Sequence, residues 1–260
     1  MRLIQDAEFY SRQLLSLTDF KAGDFTRAAI ELPQRLAAAS PLRQACYLAG
    51  RLAARQALQM AGESGEFTIG TDAGGCPLFP PSVVGSISHV RAGDRIEAVC
   101  LVARKERVKS LGIDLEQSMS ADVAAAVIDQ VCDLHEQSLL STQQMLASDV
   151  ALTLVFSAKE ALFKALWPEV KQIFEFTDVA LTRLVMQPPQ ALTAVVLPCQ
   201  VVLPGQMAFP AQTQCGYCDF VLKKNLSATQ IAGLSYRAQW LVSAQQVLTV
   251  LRVPALSSEP

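Results

Sequence analysis

Between Gly112 and Glu116 the chain reads Gly-Ile-Asp-Leu-Glu, apolar residues alternating with acidic ones. In a strand, residues two apart share a face. Ile113 and Leu115 then turn toward a core, and Asp114 and Glu116 stand side by side on the opposite face. Two carboxylates about 4 Å apart repel by roughly 4 kcal/mol at an effective dielectric near 20. A hard cation removes that repulsion. Mg²⁺ suits the task, because it combines one or two carboxylates with phosphate oxygens and water. Taken alone, the same alternation also fits the wet face of an ordinary strand.

A second stretch, Phe156-Ser157-Ala158-Lys159-Glu160-Ala161-Leu162-Phe163-Lys164, puts Glu160 and Lys164 one turn apart on a helix face. Such a pair is common helix chemistry, and Ser157 with Glu160 also matches an N-terminal capping box. However, Leu152, Leu154, Val155 and Phe156 run straight into the motif, so the helix is already under way before Ser157. It is expected over residues 149–167, ending at Trp167-Pro168, because proline disfavours helix in the residue before it.

Elsewhere, residues 24–40 and 42–61 read as helices, and Phe67–Gly70, Val83–His89, Ile96–Ala103 and Leu111–Glu116 as strands. Ser120 or Asp122 can cap a helix running to Ser138. Strand-like runs follow at 173–184, 191–203, 217–223 and 230–252, broken by Pro188-Pro189, Pro204-Gly205 and Pro210. Mixed helices and strands of this kind predict an α+β fold of α/β type.

The 260 residues suffice for one large domain or two small ones, and a hydrophobic content of 51% supplies a core. A net charge of −2 argues against a nucleic-acid binder, which carries a basic patch or stripe. The locally basic Arg104-Lys105-Glu106-Arg107-Val108-Lys109 reads as a solvated connection between two halves, with docking of an acidic carrier protein as the alternative. Met1-Arg2 is not followed by a long apolar core, so no signal peptide is expected. Ala191–Leu203 is interrupted by Pro198 and too short to cross a bilayer, so no membrane span is expected. Scattered cysteines, seven in all, fit a reducing cytoplasm. Cys215-Gly216-Tyr217-Cys218 lacks two further ligands at matching spacing, so packed thiols are expected there rather than zinc.

Taken together, the motifs resemble those of the 4′-phosphopantetheinyl transferases, in the enterobactin-synthetase component D branch. Gly-x-Asp-x-Glu at 112–116 and Phe-x-x-Lys-Glu-Ala-x-x-Lys at 156–164 are similar to that family's paired signature. Gly85-Ser86-Ile87-Ser88-His89 matches its Ser-x-Ser-His segment. Leu42-Arg43 and Ala49-Gly50-Arg51-Leu52-Ala53-Ala54-Arg55 resemble its upstream helix. The match covers residues 40–170.

The resemblance implies two similar α/β halves with an active site between them, divided here as 1–107 and 108–260, although no internal repeat is evident. It implies Mg²⁺-dependent transfer of the phosphopantetheine arm of coenzyme A to a serine of an apo carrier protein, with release of adenosine 3′,5′-bisphosphate. Asp114, Glu116 and Glu160 would hold the cation. Lys164 and Lys159 would contact the substrate phosphates, with Ser88 and His89 beside them. Glu160, or Glu116 through a water, would act as base. His135 is expected to be merely solvated.

Arg43, Tyr47, Arg51 and Arg55 repeat every four residues, with no Asp or Glu between residues 32 and 62 to pair with them. Such a row suits a phosphate or a solvated basic face. By the resemblance Arg43 and Arg51 would hold the 3′-phosphate or adenine end of coenzyme A. One departure stands out. By the resemblance, family members usually carry a Lys or Arg just before the Gly-x-Pro that leads to Ser-x-Ser-His, where this chain has Asp72-Ala73-Gly74-Gly75-Cys76-Pro77. A phosphate contact is then missing or supplied from elsewhere. The resemblance favours a monomer and leaves the carrier open among siderophore, polyketide and fatty-acid synthesis. The competing readings are a coenzyme A or carrier-protein binding module without turnover and a Mg²⁺-dependent hydrolase of pyrophosphate bonds.

Overall fold

The computed structural model describes residues 4–255 apart from 6, 64–68, 73, 189–212 and 244. Two antiparallel sheets carry the site. The first is built from β1 (Glu8–Ser16), β2 (Val83–Ala92) and β3 (Arg95–Arg104), in the order β1-β3-β2. The second contains β4 (Val108–Gln117), β5 (Val179–Gln187), β6 (Gln214–Leu222), β7 (Ser235–Val242) and β8 (Gln246–Pro254), in the order β4-β8-β7-β6-β5.

The two-residue period of a strand sorts β3 between two cores. Ile96, Ala98, Cys100 and Val102 pack under helix α2 (Pro41–Met60). Val99, Leu101 and Ala103 turn the other way, into a cluster shared with Ile113 and Leu115 of β4 and Leu248 and Val250 of β8. This shared core lies between the sheets. Helix α5 (Ser148–Val170) covers the far side of the second sheet with Leu154, Ala158, Leu162 and Ala165. The mixed architecture agrees with the α+β expectation.

Several boundaries differ from the sequence reading, each for a local reason. Residues 24–40 are not one helix. Helix α1 (Asp24–Arg27) ends beside Ala29, whose φ of 48° is left-handed, and a 3-10 turn follows at Gln34–Leu36 after Pro33. The helix expected over 120–138 is two. Ser120 caps α3 (Ala121–Val131), Cys132 is extended, and Asp133 with Glu136 forms a capping box that starts α4 (Leu134–Thr142).

Helix α5 does not stop before Pro168 but runs three residues further than expected, to Val170. Proline in the last turn removes only one donor, and left-handed Lys171 closes the helix through its N–H to the Trp167 carbonyl. The run from residue 173 opens as a 3-10 turn, Phe176–Asp178, before β5. The run at 230–252 is two strands. The strand expected at 191–203 and residues 67–68 of Phe67–Gly70 lie outside the described residues, and Gly70 is not in a strand.

Strand β1 was not expected at all. Its buried polar residues mask the apolar alternation: Glu8 pairs with Arg252, and Ser11 donates to the Ala53 carbonyl at 2.5 Å. Cys215 and Cys218 are free and buried, as expected of packed thiols. Among the described residues no helix is long and apolar enough to cross a membrane.

Candidate active site

Two serines join the sheets at the site. Ser86 Oγ accepts the Ile113 N–H at 3.1 Å, and Ser88 Oγ accepts the Leu115 N–H at 3.2 Å. Both hydroxyls satisfy backbone donors of β4 that no neighbouring strand reaches. The Ser-x-Ser spacing therefore has a structural meaning, because alternate residues of β2 present both hydroxyls to one neighbour.

Gly112 sets the depth of the site. A β-carbon there would stand 1.8 Å from the Ala161 carbonyl oxygen, so α5 lies directly on the backbone of β4. This approach brings Lys164 to Asp114. The ammonium donates to Asp114 Oδ1 at 2.6 Å, to the Ile113 carbonyl at 3.2 Å and to Ser88 Oγ at 3.2 Å. Ser88 Oγ donates to the same Oδ1 at 2.8 Å. Asp114 is 2% exposed, and its Oδ2 is buried without a hydrogen-bond partner.

Glu116 and Glu160 face the same electrostatic neighbourhood. Burial first, then the charges of Asp114 and Glu160, push the Glu116 carboxyl up to about 8, against the opposing pull of Lys164. Burial and Asp114 likewise raise Glu160, again against Lys164. The donors are all oxygen, which suits a hard cation, and the orphaned Oδ2 with two raised carboxyls is the deficit such a cation would relieve. The residues fit Mg²⁺ in chemistry. They are not drawn into a finished cage: among the described residues no three His, Cys, Asp or Glu side chains stand grouped as metal ligands.

Other expected site residues fare differently. Lys159 is not a substrate contact. It is 1% exposed and donates to Glu136 at 2.7 Å, to the Val131 carbonyl at 2.8 Å and to the Phe176 carbonyl at 3.0 Å. Glu136 Oε1 also accepts the Leu181 N–H at 2.7 Å, so this buried pair ties α4, α5 and β5 together. One position along a helix turns a side chain through 100°, which separates buried Lys159 from Glu160 on the cleft.

Arg51 and Arg55 find partners that a search for carboxylates misses. Arg51 Nε donates to the Ile69 carbonyl at 2.9 Å and its guanidinium lies 4.2 Å from the Tyr47 ring centroid. Arg55 donates to the Ala28 carbonyl at 2.5 Å. Arg51 is buried, so it braces the residue 69–70 segment. Arg43 is exposed, and its side chain has no partner among the described residues. His89 and His135 are also exposed.

Glu160 and Lys164 open onto a cleft of about 450 Å³. Its walls are Cys76–Phe79, the start of β2, Ser110 and Leu111 of β4, and Phe163, Trp167 and Lys171. The segment lacking the expected basic residue forms one wall. Asp72 Oδ2 accepts from Trp167 Nε1 at 3.1 Å and Lys171 Nζ at 2.9 Å, and its Oδ1 accepts the Gly74 and Cys76 N–H groups at 3.0 and 2.8 Å. A β-carbon at Gly74 would collide with the Trp167 ring at 1.9 Å. Lys105, Lys109 and Lys171 line the same cleft, Lys171 paired with Asp72 and Lys109 with Glu169 at 2.6 Å. The roles of Asp72, Trp167 and Lys171 in this wall were not expected from the sequence, whose signal there was an acidic residue standing where a basic one was expected. Lys105 and Lys109, by contrast, belong to the basic run 104–109 read as a connection or a docking surface.

A model of the 4′-phosphopantetheinyl transferase N-terminal domain matches residues 32–102, and one of the 4′-phosphopantetheinyl transferase superfamily matches residues 110–200. Together they span more than half of the chain, which belongs to the 4′-phosphopantetheinyl transferase superfamily. It is 35% identical over 154 residues to enterobactin synthase component D of Salmonella typhi, a stretch covering 58% of this chain and 61% of that one. It is 36% identical over 143 residues to the 4′-phosphopantetheinyl transferase Npt of Nocardia iowensis, covering 54% and 59%. It is 37% identical over 123 residues to enterobactin synthase component D of Escherichia coli K12, covering 47% and 54%. The chain thus spans about three fifths or less of the length of these relatives.

Proposed function

We propose that this protein transfers the 4′-phosphopantetheine arm of coenzyme A to a serine hydroxyl of an apo carrier protein and releases adenosine 3′,5′-bisphosphate. The observation that carries the reading is the Asp114–Lys164–Ser88 constellation, set beside Glu116 and Glu160, whose carboxyls burial and the charge of Asp114 raise.

Phosphoryl transfer asks a protein for alignment and charge neutralisation more than for covalent chemistry. Asp114, Glu116 and Glu160 would hold Mg²⁺, which when bound offsets the negative charge of the diphosphate. Lys164 supplies a mobile positive charge for the same oxygens. The carrier serine's Oγ forms a bond to the phosphorus that bears the pantetheine. The bond from that phosphorus to the bridging oxygen breaks, and the nucleotide leaves. A carboxylate takes the serine proton. Glu160 stands on the open cleft and is the first choice, and Glu116 through a water is the second.

Exposed Arg43 and His89 are proposed to reach the outer phosphate of coenzyme A. Arg51 contributes by bracing the residue 69–70 segment behind them. The division into halves at 107/108 is proposed on the same grounds, since β3 ends at Arg104 and β4 begins at Val108. A monomer working in the cytoplasm completes the reading.

The test is incubation with coenzyme A, Mg²⁺ and a panel of apo carrier proteins, read by mass spectrometry. A mass gain of one phosphopantetheine on the carrier is expected. Tight coenzyme A binding with no transfer to any carrier would make the protein a binding module instead. Release of phosphopantetheine to water without a carrier would make it a hydrolase.

A further inference from the structure

We propose that Lys164 is the resident counter-ion of Asp114 and yields that carboxylate only when a diphosphate draws the ammonium away, so that a divalent cation and coenzyme A bind cooperatively. The proposal rests on the metal and substrate reading given above and adds its regulation.

An ammonium has three protons to donate. Lys164 spends all three inside the protein, on Asp114 Oδ1, the Ile113 carbonyl and Ser88 Oγ. As placed it has none left for a phosphate oxygen. It can grip a diphosphate only by releasing one of these partners. The carbonyl and the hydroxyl are neutral, and the carboxylate is the partner for which a diphosphate can substitute charge for charge.

Asp114 is equally committed. Oδ1 is held by Lys164 and Ser88, and Oδ2 is buried with no partner. A divalent cation brought to either oxygen would share one carboxylate with the ammonium. Two positive centres that close repel, and a half-buried site screens them poorly. The side chain of Lys164 is 26% exposed and lines the cleft beside Glu160, so its ammonium can turn toward a ligand there without moving the helix. The two cationic positions at Asp114 are therefore filled one at a time until a diphosphate arrives to take the lysine. By linkage, whatever coenzyme A does to cation affinity, the cation does equally to coenzyme A affinity.

The test is a Mn²⁺ titration followed by electron paramagnetic resonance and calorimetry, on wild type and Lys164→Met, each with and without coenzyme A. Lys164→Met keeps the apolar stem and removes the charge. Without coenzyme A, the variant is expected to bind Mn²⁺ about tenfold more tightly than wild type, and coenzyme A to tighten Mn²⁺ binding less in the variant than in wild type. Equal or weaker Mn²⁺ binding by the variant overturns the counter-ion proposal while leaving the metal site intact. Absence of saturable Mn²⁺ binding in both proteins, even with coenzyme A, removes the metal site and the proposal with it. Wild type also provides a check that no variant is needed for: independent binding of Mn²⁺ and coenzyme A overturns the proposal.

Discussion

Gly112 and Ala161 meet backbone to backbone, with no room for a β-carbon between strand β4 and helix α5. The glycine of Gly-x-Asp-x-Glu and the alanine of Lys-Glu-Ala are thus two halves of one contact. That contact fixes how deep α5 sits, and so how Lys164, one turn beyond Ala161, reaches Asp114, two residues beyond Gly112.

Gly112→Ala is expected to force the helix off the strand. Overpacking of this kind costs about 1–3 kcal/mol, and the lost register should separate Lys164 from Asp114. Thermal unfolding should show a lower midpoint, and carrier loading should fall far more than the folded fraction does. Unchanged loading in folded Gly112→Ala protein would mean that the close approach does not set the site.

Ser86 and Ser88 hold neighbouring backbone donors of β4, but only Ser88 also meets Lys164 and Asp114. Ser86→Ala leaves the buried Ile113 N–H without its acceptor, a cost of about 1–3 kcal/mol, with loading per folded molecule largely retained. Ser88→Ala adds the loss of contacts to Lys164 and Asp114. Its loading rate should drop by at least about tenfold, or 1.4 kcal/mol of barrier. Comparing rates normalised to folded protein separates the two.

Lys159→Met leaves Glu136 charged, fully buried and without its cation. Breaking such a pair costs about 3–5 kcal/mol, whereas replacing both members by apolar residues is far milder. Lys159→Met with Glu136→Leu should therefore regain part of the stability, measured by urea unfolding, and stay below wild type because the buried Leu181 N–H loses its acceptor. The KM for coenzyme A should stay near wild type in the double variant. A large rise in that KM would restore Lys159 to the substrate.

Asp72 links the cleft wall to the acid limb of stability. Partial burial raises its carboxyl, but hydrogen bonds from Lys171, Trp167 and the Cys76 N–H outweigh that and hold it down to about 2. A carboxyl depressed in the folded state stabilises above its unfolded value near 3.9, and that contribution fades as the pH falls through about 2. Wild type should exceed Asp72→Asn in stability at pH 6, with the gap closing as the pH drops below 4. A gap independent of pH would show that the carboxylate charge is not what latches the wall to α5.

The residues proposed for the site were more legible in the sequence than the contacts around them. Asp114, Glu116, Glu160 and Lys164 could be found because strand and helix periods are short and each motif sits within one element. Ser88 could be found for the same reason, though its bond to β4 could not, because that joins residues of two sheets. Lys159 misled because it lies beside Glu160 in the chain and a helix turns neighbours apart. Arg51 and Arg55 misled because their acceptors are carbonyls, which every residue carries and no pattern marks. Strand β1 was invisible because Glu8 and Ser11 are buried by specific partners rather than by apolar character. The wall around Asp72 depends on Trp167 and Lys171, which only the folded chain brings to it.

The most direct measurement is carrier loading by Asp114→Ala beside wild type, with coenzyme A and Mg²⁺, read as intact mass and accompanied by circular dichroism. Wild type should add one phosphopantetheine to an apo carrier, and folded Asp114→Ala should add none. Undiminished loading by the folded variant, or none by wild type on any carrier despite bound coenzyme A, would contradict the role given to this carboxylate and to the site around it.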